Sequence, residues 1–157
     1  MTGPIPAITI WQPWATMILE GMKPYEFRSW PAPRRYVGQR IAIHAGARPV
    51  KPAEVRELLA RFEDDGAHGQ ALDVPRASAL LESWLRGDVR LPLSSVLCTA
   101  TLGEPLSPQK IAAKLGNDSD RAEHFNWAWP LTAIEPLRPF APARGAQGFW
   151  NWTPSDG

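Results

Sequence analysis

Lys23, Glu26 and Arg28 fall within six positions of one another in the stretch EGMKPYEFRSW, residues 20–30. An ammonium, a carboxylate and a guanidinium this close can serve one of two ends. On a solvated face they form an ion-pair lattice in which Lys23 and Arg28 both satisfy Glu26, and exposed pairs of that kind contribute about 0–1 kcal/mol. In an apolar cleft they form a site. Burial disfavours the charged form of carboxylate and ammonium alike while each charge favours the other, so a Lys–Glu pair there can share a proton near neutral pH. That is the equipment of general acid–base chemistry. An arginine fork beside the pair can hold a carbonyl oxygen or a phosphate.

Other reactive side chains are sparse. The single Cys98 lies in the apolar, β-branched run SSVLCTATLG with no adjacent histidine, which marks a buried structural thiol. One cysteine excludes an intrachain disulfide, so no disulfide-linked partner is expected, and a reducing cytoplasm fits. His44, His68 and His124 are scattered, and no Cys/His cluster has metal-ligand spacing, so neither a metal nor a cofactor is expected. Trp11 and Trp14 flank a helix start whose free N–H groups can meet an anion, and of the 8 tryptophans they are the pair placed to contact a ligand. Trp84 lies on a helical apolar stripe, Trp127 and Trp129 alternate as core or wall, and one of Trp150 and Trp152 can close a cleft.

Charge is uneven. Residues 23–51 carry seven basic side chains against Glu26 alone, although the chain as a whole is only +1. The asymmetry favours an anionic partner. A net charge so near zero disfavours a protein dedicated to long polyanions.

The elements that must position these groups are short. AITI (7–10) reads as a strand, and QPWATMILEG as a helix with Pro13 in its first turn and Gly21 as its C-terminal cap. YEFRSW alternates, placing Glu26, Arg28 and Trp30 on one face and Tyr25 and Phe27 on the other. A proline-rich loop leads to the strand RIAIHAG, which ends at His44. Residues 52–63 have helical spacing, DDGAHGQALDVP reads as a link, and ASALLESWLRG as a second helix. LPLSSVLCTATLG is the strongest strand. Ser107, Pro108 and Gly116 bracket the helix PQKIAAKL. FNWAWPLTAI is a strand running from Phe125, PLRPFAPARGAQG reads as a Pro/Gly passage, and FWNW as a last strand. No run approaches the roughly 18 apolar residues of a membrane span, and MTGPIPAITI lacks the basic, apolar character of a signal peptide. The chain of 157 residues therefore reads as a single domain with a helical insertion at about 64–92, and its class as α+β around a small mixed sheet or barrel.

The stretch Gly21-Met22-Lys23-Pro24-Tyr25-Glu26-Phe27-Arg28 matches the pattern G-x-K-x-x-E-x-R and so resembles the ASCH domain family of the PUA-like superfamily. TIWQPWATMIL before it, RSW and IAIHAG after it and the terminal GAQGFWNW extend the resemblance over most of the chain apart from residues 64–92. It implies a small mixed β-barrel with helices packed around it, and a cleft where the motif, the first helix and the IHA strand meet. Relatives bind RNA or modified bases, some small members remove acyl groups from the exocyclic nitrogen of cytidine, and nuclease activity has been attributed to others.

For this chain the resemblance implies a metal-independent amidohydrolase acting on an N4-acylated cytidine nucleoside. A non-catalytic RNA-binding module is the runner-up, and a ribonuclease using the same cleft is the third reading. Glu26 is assigned to activate water, with Lys23 as proton donor and oxyanion stabiliser. In the small amidohydrolases a threonine, acting as nucleophile, stands where this chain has Glu26, so that mechanism does not carry over. Their distal acid corresponds to Glu123, with Glu104 as the alternative. Trp11, Trp14, Arg28, Ser29, Trp30, His44 and Trp150 are the expected substrate contacts. Ser29 is also a substitute nucleophile without a base, and His44 also reads as a satisfied structural histidine.

Overall fold

The computed structural model describes residues 3–64, 71–115 and 126–155. Six strands form one mixed sheet: β1 (Ile5–Ile10), β2 (Tyr25–Arg28), β3 (Arg40–Ala45), β4 (Ser95–Leu102), β5 (Trp127–Pro142) and β6 (Trp150–Trp152). Their order is β2-β5-β4-β3-β1-β6, with β1 and β3 parallel and every other pair antiparallel. Among the described residues four α-helices accompany them, α1 (Trp14–Leu19), α2 (Pro52–Asp64), α3 (Val74–Leu85) and α4 (Pro108–Leu115), and the class is α+β as expected.

The sheet curls without closing. β2 and β1 stand four strand spacings apart in the order, roughly 19 Å on a flat sheet. Yet Arg28 Nη2 on β2 donates to Thr9 O on β1 at 3.1 Å. Only a rolled sheet brings them together, and the seam between these two strands is where the motif faces the first strand.

Strand alternation divides the core. Ile8, Ile10, Ile41, Ile43, Leu97 and Leu102 enter the interior cluster with Trp129, while Ala7, Ala42, Val96 and Trp152 form a smaller cluster of their own. α1, α2 and α3 share a third cluster around Met17, Val55 and Leu81, against which Trp84 packs half-buried. Gly21, at φ +76, closes α1 as the sequence predicts; its N–H donates to Ile18 O and that of Met22 to Met17 O.

Two expectations change. The passage PLRPFAPARGAQG is not all loop: β5 runs on to Pro142 through Pro136 and Pro139. β2 covers only Tyr25–Arg28 against Trp127–Pro130, so among the described residues the rest of β5 pairs with β4 alone, and its other side tolerates residues without an N–H. α3 begins at Val74, inside the expected link, because Asp73 accepts from Arg76 N–H as an N-cap and Pro75 fits the first turn.

Candidate functional site

A cleft of about 680 Å³ opens at the seam. Its floor is β2, through Glu26, Phe27 and Arg28; one wall is Trp11 and Trp14 at the start of α1. The lining is completed by His44 from β3, Ser94 and the loop Arg144–Gly148 between β5 and β6. Gln12 fixes the tryptophan wall, accepting from Thr16 N–H at 3.0 Å and donating to Pro92 O at 2.8 Å.

Glu26 is the centre of the charged cluster. Lys23 Nζ lies 3.6 Å from its Oε1, and Arg28 Nε donates to its Oε2 at 2.9 Å. The side chains of Lys23, Glu26 and Arg28 are only 10%, 11% and 23% exposed, so this is no solvated lattice. Lys23 also donates to Tyr25 O and sits 4.9 Å over the Phe27 ring, behind Glu26 rather than on the cleft wall. Arg28 is committed at Nε and Nη2, while Nη1 has no partner among the described residues.

A relay of hydrogen bonds supports the lining at His44. Trp150 Nε1 donates to Thr9 Oγ1 at 3.1 Å, Thr9 Oγ1 lies 3.1 Å from His44 Nδ1, and His44 Nε2 lies 2.7 Å from Ala143 O. A carbonyl only accepts, so Nε2 carries the hydrogen, and in the neutral ring the Thr9 hydroxyl donates to Nδ1. His44 thus lines the cleft with both nitrogens engaged. Trp150 stands one layer back, edge-on to His44 at 5.2 Å.

The structure therefore gathers Trp11, Trp14, Glu26, Arg28 and His44 on the cleft, with Lys23 and Trp150 immediately behind. It does not bring the others there. Ser29 is exposed, and Trp30 is 55% exposed with its carbonyl accepting from Trp129 Nε1. Glu104 pairs with Arg34 on the surface, off the cleft. Glu123 lies outside the described residues, as do Gly116, His68, His124 and Phe125. Among the described residues no three His, Cys, Asp or Glu side chains gather as a metal site. None of the described helices is long and apolar enough to cross a membrane.

Sequence reasoning missed Thr9, Ser94, Arg144 and Gln147. For the last two a signal existed: an arginine and a glutamine spaced by glycines in ARGAQG, just before a tryptophan strand. Thr9 had none, being one polar residue in an apolar strand.

Residues 8–87 match the model of the ASCH domain, half of the chain. The chain belongs to the ASCH domain family. Human activating signal cointegrator 1 is 40% identical to it over 55 residues, 35% of this chain and 9% of that protein's length. The crystal structure of ASCH from Zymomonas mobilis covers 88% of this chain and 73% of its own at 17% identity and a TM-score of 0.47. A single-residue variant of that protein gives 18% identity and a TM-score of 0.48, covering 88% of this chain and 75% of its own. The ASCH match contains the floor and the tryptophan wall, whereas Ser94 and the Arg144–Gly148 wall lie beyond it.

Proposed function

We propose that this ASCH protein is a metal-independent amidohydrolase removing an acyl group from the exocyclic nitrogen of a modified cytidine. The observation that supports the reading most is the nearly buried Lys23–Glu26–Arg28 cluster on the floor of a cleft walled by Trp11 and Trp14. A nucleobase is a flat apolar body with polar edges, and stacking on an aromatic side chain is worth about 1–3 kcal/mol per base. In this reading Glu26 takes a proton from water as its oxygen attacks the acyl carbon. Nη1 of Arg28 meets the oxyanion that forms. The C–N bond then breaks, the amine leaves with a proton returned through Glu26, and the acyl group departs as a carboxylic acid. Lys23 is the positioning residue of this scheme, holding Glu26 Oε1 from behind.

A second reading has its own observation: both oxygens of Glu26 face cations, and the basic excess lies in residues 23–51, which include Arg28 and Arg48. On that reading the cleft only binds RNA. Incubating purified, chelator-treated protein with N4-acetylcytidine, followed by chromatography, separates the two. Hydrolysis predicts cytidine and acetate at an undiminished rate; unchanged substrate at enzyme concentrations that bind it would leave the binding module.

A further inference from the structure

We propose that Arg144 is a phosphate-binding residue, so that the cleft takes its ligand as a nucleotide unit rather than as a bare nucleoside. The inference rests on reading the cleft as a nucleoside site. It starts from which charges at the cleft are already spent. Lys23 and Arg28 both pair with Glu26, and the Nη1 that Arg28 leaves open is the one assigned above to the oxyanion. Arg48, 4.8 Å over the Trp11 ring, is held by Glu54 through two hydrogen bonds of 2.7 and 3.0 Å. Arg144 lines the cleft, and among the described residues its guanidinium has neither an ion pair nor a hydrogen bond.

Its backbone is fixed on both sides. Ala143 N–H donates to Ser94 O at 3.0 Å, and Ala143 O accepts from His44 at 2.7 Å. Gly145 lies so close to Thr9 and His44 that a Cβ there would meet Thr9 Oγ1 at 2.4 Å. An exposed, uncommitted planar fork on a loop whose backbone is pinned, lining the same cleft as Trp11 and Trp14, is free to meet the oxygens of a phosphate. The phosphate is either the terminal group of a mononucleotide or a phosphodiester of RNA.

Calorimetry distinguishes the sources with three probes that the proposed reaction leaves intact: cytidine, its 5′-monophosphate, and a short single-stranded oligoribonucleotide carrying the same base. The wild-type protein should bind a phosphorylated probe about tenfold more tightly than the nucleoside, the usual scale of one charge-assisted contact. Arg144→Gln should erase that gain and leave nucleoside affinity unchanged, while Arg144→Lys should keep part of it. A gain already present with the monophosphate assigns the terminal group, and a gain confined to the oligonucleotide assigns the phosphodiester. Equal binding of all three by the wild type, or an equal loss for all three in Arg144→Gln, overturns the proposal alone. Failure of all three to bind overturns the nucleoside reading with it.

Discussion

At the scale of single residues, neighbours decide what a reactive group can do. Glu26 lines the cleft while Lys23 and Arg28, one at each of its oxygens, offset its charge. Cys98 is the opposite case, fully buried among apolar side chains. Desolvation pushes its thiol from 9.0 up to about 12, against a smaller lowering by Arg40. The folded protein thus holds a proton that the unfolded chain releases above about pH 9, so this contribution to stability is complete below that pH and is lost toward pH 12. Denaturant titrations should find wild-type stability falling relative to Cys98→Ala across that window, and a pH-independent difference would contradict it. The thiol's burial was legible because its run is apolar and β-branched. The motif trio was legible because its members are adjacent in sequence. Thr9 was not, because only the rolled sheet brings it to Arg28.

At the scale of elements, prolines and glycines were read as breaks where tertiary context uses them otherwise. The second half of β5 accepts Pro136, Pro139 and Pro142 because β2 pairs only with its first four residues. No local pattern announces which side of a strand stays unpaired, so that strand end was illegible. The boundary of α3 was missed although its signal, Asp73 and Pro75, is local capping chemistry. The loop after β5 shows what a glycine can be for besides turning. A Cβ at Gly145 would stand 2.4 Å from Thr9 Oγ1 and 2.8 Å from the His44 ring, so Gly145→Ala must displace the loop or break the relay. Overpacking of this kind costs about 1–3 kcal/mol. Gly145→Ala should therefore lower the melting temperature and weaken ligand binding at the cleft together. An alanine variant with both values unchanged would mean that the loop is not pinned where the ligand binds.

At the scale of the molecule, the roll of the sheet is what converts a linear motif into a site. It sets β2 against β1 and gathers Trp11, Trp14, the β5–β6 loop and Glu26 around one cleft. The class and much of the strand order of appearance were readable from short alternating runs. The residues themselves left sheet and barrel open, because the curl arises from pairings between residues far apart in the chain; the family resemblance implied a barrel, and the sheet curls without closing. The central claim is that this geometry makes Glu26 chemical rather than merely ionic. Glu26→Gln keeps the shape and hydrogen-bonding reach of the side chain and removes its basicity. The most direct measurement is kcat for N4-acetylcytidine beside Kd for the product cytidine, in wild type and Glu26→Gln. The account predicts a fall in kcat of about 10²–10⁴-fold with Kd nearly unchanged; a variant that turns over at the wild-type rate would contradict it.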